Sequence, residues 1–111
     1  MITKIFTIYD SKAGSYLPPL YMQSTGTAIR AFEDECNNEQ SQFNKHPTDF
    51  TLFEIGKFDD QTCEMIMLDV KVSLMTALEA KTQMEMNLSN QQVNIEKMAE
   101  LNKKATMESV K

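Results

Sequence analysis

The sequence predicts an α+β fold: a small antiparallel sheet of about three strands with one packed helix, followed by a long C-terminal helical segment. All three prolines and all three glycines lie before residue 57, so helix-breaking residues are confined to the front of the chain. Apolar and β-branched runs at residues 2–9, 50–55 and 62–68 are typical of strands. From about residue 70 the apolar residues recur at helical spacing. With 111 residues, the chain has room for little more than one domain.

The first 68 residues are predicted to form the α+β domain. The strand at residues 2–9 is apolar on both faces, which favours a central position in the sheet. Ser24 or Thr25 can cap a helix whose apolar residues recur at helical spacing up to Cys36. Gly56 and the Asp59-Asp60 pair mark the turn of a hairpin formed by the second and third strands.

Residues 69–111 are predicted to form a helical tail that mediates partner binding or self-association. A continuous helix of about 40 residues would extend about 60 Å, well beyond so small a domain. Ser89 with Gln92 resembles a capping box, so the sequence leaves open one helix or two, broken near Ser89. Seven of the nine methionines follow residue 64, and methionine suits adaptable partner surfaces as well as ordinary cores. The apolar stripe that we expect to contact a partner is Leu74, Leu78, Met84, Leu88, Ile95, Met98 and Leu101.

Composition restricts the classes of function. No apolar run is long enough to span a membrane or to form a signal peptide, so we expect no membrane partner. Two cysteines do not form a disulfide scaffold, which favours a reducing cytosol. Sixteen acidic against eleven basic residues give a net charge of −5. This balance argues against a general nucleic-acid coating protein but permits a local basic face.

No catalytic or metal-binding motif is recognisable, so we expect no enzyme, no metal and no cofactor. His46 is the single histidine and lies far in sequence from both cysteines, unlike the short ligand spacings of zinc sites. Cys36 completes the apolar face of a helix, and Cys63 lies in a predicted strand, where a small apolar residue is ordinary. The acidic Asp59-Asp60 pair is explained by its turn.

Basic and aromatic residues cluster in two groups near the front of the chain. The first group is Tyr9, Lys12, Tyr16, Tyr21 and Arg30, and the second is Lys45, His46 and Phe50. Single-stranded DNA is bound by aromatic rings that stack on bases and by lysines and arginines that hold the backbone. The competing interpretation is that these aromatic residues belong to the core or its rim. The candidate DNA-binding residues are Lys12, Tyr16, Tyr21, Arg30, Lys45 and His46.

The first 65 residues resemble a known family. The segments that carry the resemblance are FTIYDSKAG at residues 6–14, Pro18-Pro19, AIRAF at 28–32, His46-Pro47, DFTLFEIG at 49–56 and DDQT at 59–62. They are similar to the small nonstructural protein of gokushoviruses, bacteriophages of the microvirus group with circular single-stranded DNA. The chain departs from that family at Cys63, where a glycine is frequent, and this puts the hairpin geometry in question.

The resemblance implies a role in viral single-stranded DNA synthesis in the cytoplasm of the infected bacterial host, and it supplies no catalytic residues. We therefore expect a non-enzymatic accessory of viral DNA replication or packaging that binds single-stranded DNA or a replication protein. The alternative is a scaffolding protein or host-factor adaptor that acts through the methionine-rich tail, which would also support a homo-oligomer. DNA affinity that falls with salt favours the first hypothesis, and loss of assembly on removing the tail favours the second.

Overall fold

An antiparallel sheet forms the frame of the protein. The structure, a computed structural model, describes residues 1–82, and residues 1–81 form a compact unit. Residues 77–82 are helical. The elements are β1 (Ile2–Asp10), β2 (Ser15–Tyr16), β3 (Leu20–Met22), α1 (Thr25–Cys36), α2 (Gln42–Lys45), β4 (Phe50–Asp59) and β5 (Met65–Thr76).

Strand β1 is central in the sheet, whose order is β2-β1-β4-β5. It pairs with β4 along its whole length, from Ile2 opposite Asp59 to Asp10 opposite Phe50. The short strands β2 and β3 both pair with β1 and share its other edge. The outer strand β5 pairs with β4 alone.

The helices pack on one face of the sheet, where the core lies. Ser24 caps α1 by accepting a hydrogen bond from the backbone N–H of Thr27 at 3.2 Å. Burial of one large apolar side chain contributes about 1.5–3 kcal/mol to stability. The buried residues of this core are Phe6, Ile8, Ala28, Phe32, Cys36, Phe50, Leu52, Ala77 and Ala80.

The predicted fold class was wrong in two respects. The sheet has five strands and not about three, because the segment between Ser15 and Met22, for which no strand was predicted, forms two short strands on the free edge of β1. Residues 69–76, predicted to begin a long helix, continue strand β5. Within residues 1–82 the helices are short and no long C-terminal helical segment is present.

The error in the tail has a physical reason. Leu74 and Leu78 are four residues apart, a spacing that fits one helix face but also places residues on the same face of a strand. Ser73 and Met75 pair with β4 and so keep Leu74 in the strand, while Leu78 lies in the helical residues 77–82. The proposed domain boundary between residues 68 and 69 falls inside β5. The remaining tail predictions concern residues outside the described part of the chain: Met84, Leu88, Ile95, Met98, Leu101 and the break near Ser89.

Two local features fix the β4–β5 hairpin. Cys63 adopts a left-handed backbone conformation with φ of 63°, so the turn keeps a geometry that favours glycine although a cysteine occupies it. At Gly56 the two strands approach so closely that an added Cβ atom would lie 2.7 Å from the carbonyl oxygen of Ile66. A side chain at position 56 is therefore incompatible with this pairing.

Candidate nucleic-acid interface

The face of the sheet away from α1 carries a cluster of aromatic rings. Phe6 and Ile8 point into the core, so the alternation of a strand directs Thr7 and Tyr9 to the opposite face. We call this side, on which the described residues place no helix, the open sheet face. Its aromatic cluster arises because neighbouring strands place their residues in register.

Three rings form the centre of the open sheet face. Tyr16 is registered opposite Tyr9, and their ring centroids are 4.8 Å apart. The ring of Phe53, on β4, lies 6.2 Å from that of Tyr16 in an edge-on arrangement. Tyr16 is 47% exposed, so part of the cluster is accessible from solvent.

A second aromatic pair extends this face toward the other end of the sheet. Tyr21 of β3 and Phe58 of β4 have centroids 6.0 Å apart and meet edge to face. Ile5, which is registered opposite Tyr21, is buried. Tyr21 itself is 49% exposed, which gives the open sheet face two separate accessible tyrosine rings.

One lysine completes the central cluster. The Nζ atom of Lys71 lies 5.4 Å from the centroid of the Tyr16 ring, within the range of a cation–π contact. Lys71 reaches this position because β5 bulges: the register jumps from Met67 opposite Gly56 to Val72 opposite Glu54. Residues 68–71 thus stand opposite Ile55 alone, and the bulge brings a positive charge beside the exposed ring.

A cavity of about 370 Å³ adjoins the Tyr16 ring. Its main polar wall group, the hydroxyl of Thr7, donates a hydrogen bond to the carbonyl of Leu17 at 2.9 Å and is therefore already satisfied. What remains is an apolar recess with one ammonium group, which suits a planar ring attached to an anionic group. The lining residues are Thr7, Tyr16, Leu17, Pro19, Ile55, Met67, Leu68 and Lys71.

The structure divides the six candidate residues between two sides of the protein. Tyr16 and Tyr21 lie on the open sheet face, and Lys12 is exposed in the turn that joins β1 to β2. Arg30 is exposed on α1, and Lys45 and His46 are exposed at the end of α2. Both helices contribute to the core on the other side of the sheet, so these last three residues are not brought together with the tyrosines.

Three members of the aromatic–basic cluster were not among the residues chosen from sequence. Tyr9 and Phe53 are on the same face because of the register between β1 and β4, which a single sequence does not give. Lys71 was assigned to the predicted helical tail. Alternation of side chains along each strand is the signal that points to Tyr9 and Phe53, once the strands are known.

Much of the acidic surplus belongs to the helical side. Glu33, Asp34 and Glu35 lie on α1. Glu54 is paired with Lys4, with 3.3 Å between its Oε1 and the Nζ atom, and accepts a hydrogen bond from the Thr25 hydroxyl at 2.7 Å. The Thr25 hydrogen bond and the Lys4 ammonium lower the pKa of Glu54, although partial burial opposes them. This carboxylate stabilises the junction of β1, β4 and α1 and does not face the aromatic cluster.

The described residues provide little for covalent chemistry. Burial raises the pKa of the Cys36 thiol to about 12, so the reactive thiolate is scarce at neutral pH. Among residues 1–82, no three His, Cys, Asp or Glu side chains converge to hold a metal ion. None of the helices in that part of the chain is long and apolar enough to cross a membrane.

Comparison with known proteins places the chain in a family. A family model described as Phage ORF5 protein matches residues 3–80, which include α1, α2, strands β2 to β5 and all of β1 except Ile2. No curated protein and no solved structure matches the chain. The chain therefore belongs to the Phage ORF5 protein family and is a bacteriophage protein.

Proposed function

We propose that this phage protein binds single-stranded DNA through the open sheet face, as a non-enzymatic accessory of viral DNA replication or packaging. The observation that carries the proposal is the cluster of Tyr9, Tyr16 and Phe53 with the ammonium of Lys71 beside it. The gokushovirus resemblance of residues 1–65 supports the same role in a single-stranded DNA phage, within the cytoplasm of its bacterial host.

The chemistry of this cluster suits unpaired bases. Every base has a flat face that can stack on an exposed tyrosine, and such a contact contributes about 1–3 kcal/mol to binding. The ammonium of Lys71 lies over the Tyr16 ring in the free protein, and we expect it to move aside and contact the phosphate next to a base that stacks on Tyr16. In duplex DNA the base faces are already stacked on each other, so we expect single strands to bind better than duplexes.

The small number of basic residues on this side limits the electrostatic contribution. Lys71 and Lys12, which lies in the turn between β1 and β2, are the two lysines that we expect to contact phosphates. Each phosphate contact on a single strand contributes about −0.7 to the slope of log affinity against log salt concentration. We therefore expect a shallow slope of about −1 to −2, with most of the affinity coming from stacking.

Fluorescence anisotropy with a labelled oligothymidylate of about 15 nucleotides tests the proposal, since such a length covers a typical single-strand site. Tyr16→Ala is expected to weaken binding by about 5- to 150-fold, the equivalent of one lost stacking contact. Lys71→Ala is expected to weaken binding and reduce the salt slope. Lys45→Ala is the matched control, because Lys45 is also exposed but lies on the helical side.

Two results would contradict the proposal. One is the absence of binding even at low salt, which would direct attention to a phage replication protein or host protein as the partner. The other is binding that Lys45→Ala or Arg30→Ala weakens while Tyr16→Ala leaves it unchanged, because the interface would then be on the helical side. Circular dichroism of each variant shows that the fold is retained.

A further inference from the structure

Strand β5 is an edge strand with an unusually apolar surface. It pairs with β4 on one side only, and among the described residues nothing pairs with its outer edge. Val70 is 77% exposed and Ile66 is 56% exposed. Soluble proteins normally protect sheet edges with charges, prolines or a covering segment, because unpaired backbone groups on an edge invite another strand.

The centre of β5 is also without register partners on β4. Residues 68–71 stand opposite Ile55 alone, so the pairing of the two strands is interrupted there. A bulge of this kind is one way to discourage edge pairing, but here the bulged residues include the most exposed apolar side chain of the strand. Among residues 1–82, no strand pairs with the outer edge of this segment.

The residues of β5 on the two sides of Val70 are chemically complementary. On either side of it stand an acid and a base, Asp69 and Lys71, and the next residues outward are apolar on both sides. In an antiparallel pair of identical strands related by a two-fold axis at Val70, residues equally distant from Val70 face each other. The facing pairs are Asp69 with Lys71, Leu68 with Val72, Met67 with Ser73, Ile66 with Leu74, and Met65 with Met75.

We propose that the partner of this edge is a second copy of the chain, paired antiparallel through β5 with the two-fold axis at Val70. Each copy then places its Asp69 opposite the other copy's Lys71, so two ion pairs form across the axis. Opposite charges that face each other across strands stabilise the pairing, and like charges destabilise it. A register shifted by one residue in either direction loses both ion pairs, so the charges select this alignment.

The dimer affects the candidate DNA site through Lys71. In the monomer its ammonium lies beside Tyr16, whereas in the dimer the Asp69 carboxylate of the second copy competes for it. Dimerisation and DNA binding are therefore expected to oppose each other. The dimer can be measured without DNA, so the failure of either proposal is distinguishable from the failure of the other.

Charge reversal tests the pairing, with sedimentation velocity of the full chain as the readout. Wild-type protein is expected to be a dimer at micromolar concentrations. Asp69→Lys and Lys71→Asp each place two pairs of like charges across the axis, so each variant is expected to be monomeric. The double variant Asp69→Lys/Lys71→Asp restores both ion pairs and is expected to be a dimer again. Lys45→Asp, the same reversal on the helical side, is the control and is expected to leave the dimer intact.

A mixture of the two single variants gives the most discriminating result. One copy then carries lysine at positions 69 and 71 and the other carries aspartate at both, so the mixture is expected to form a heterodimer. A heterodimer also shows that both variants are folded. The proposal is overturned if wild-type protein is monomeric at about 100 μM, a weak limit for a specific interface. It is equally overturned if the single variants remain dimeric or if their mixture stays monomeric.

Discussion

Replacing Gly56 by alanine is expected to destabilise the protein by separating β4 from β5. The new Cβ atom would lie 2.7 Å from the carbonyl oxygen of Ile66, 3.0 Å from the sulfur of Met67 and 3.2 Å from its Cα atom. Two of these three neighbours are backbone atoms, which cannot rotate away as a side chain does. Relief of the closest contact requires β5 to move by about half an ångström, away from its hydrogen-bonding distance to β4.

The magnitude follows from two opposing effects. Forcing an extra methyl group into a closely packed position costs about 1–3 kcal/mol. Replacing glycine also reduces the freedom of the unfolded chain, which stabilises by about 0.4–1 kcal/mol. The net loss for Gly56→Ala is about 1–2 kcal/mol, which lowers the melting temperature of a domain of this size by about 5–15 °C.

Thermal and urea unfolding measure this loss, and the chain provides a control of the same chemistry. Gly26 lies in α1, and nothing lies within 4 Å of the position that its Cβ would take. Gly26→Ala is therefore expected to raise stability by about 0.5–1 kcal/mol, since alanine favours the helix. Equal melting temperatures for the two variants would show that β4 and β5 do not approach as described.

Three further predictions are tested by unfolding measurements or by the reactivity of the thiols. Cys63→Gly is expected to raise stability by about 0.5–1 kcal/mol, because the left-handed φ of 63° costs a cysteine about 1–2 kcal/mol and glycine almost nothing; a lower melting temperature would refute the turn geometry. The pKa of Glu54 is lowered in the folded protein by Thr25 and Lys4, so its stabilisation is present at neutral pH and is lost on acidification below the ordinary value of 4.5. The stability difference between wild type and Glu54→Gln should therefore shrink as the pH falls, and a constant difference would count against this pairing. Cys63 should react quickly with a thiol reagent and Cys36 only on unfolding, because Cys63 is exposed and Cys36 is buried; rapid reaction of both thiols would place Cys36 outside the core.

Local sequence patterns were sufficient to predict the elements that short-range interactions determine. Strand β1 covers the apolar run at residues 2–9, and α1 begins after Ser24, one of the two caps that the sequence offered. Strands β2 and β3 have only two and three residues, and they exist because β1 offers them a free edge. Such short strands depend on pairing with β1 and carry no pattern of their own.

In the C-terminal half of β5, the spacing of apolar residues does not distinguish a helix from a strand. Leucine at residue 74 fits a helix stripe and a strand face equally well, and the absence of proline and glycine is neutral between the two. Pairing with Thr51–Phe53 of β4 makes this segment a strand, and this pairing is a tertiary interaction. Because Lys71 was assigned to the wrong element, its place beside Tyr16 was not foreseeable.

Only part of the candidate interface could be predicted from the sequence, because the rest depends on tertiary pairing. Tyr16 and Tyr21 were chosen as aromatic residues grouped with basic residues, and both are exposed on one face of the sheet. Which lysines and arginines lie on the same face as these tyrosines depends on the side of the sheet to which each element packs. Arg30 follows Tyr21 by nine residues and Lys45 lies farther along the chain, and the helices that carry these two residues cover the opposite face.

Nuclear magnetic resonance of the ¹⁵N-labelled protein, titrated with unlabelled oligothymidylate, tests the location of DNA binding most directly. If the open sheet face binds single-stranded DNA, the amide signals of Tyr9, Tyr16, Phe53 and Lys71 shift progressively, and those of α1 remain unchanged. Shifts concentrated in α1 and α2, or no shifts at a large excess of DNA, would contradict the proposed interface.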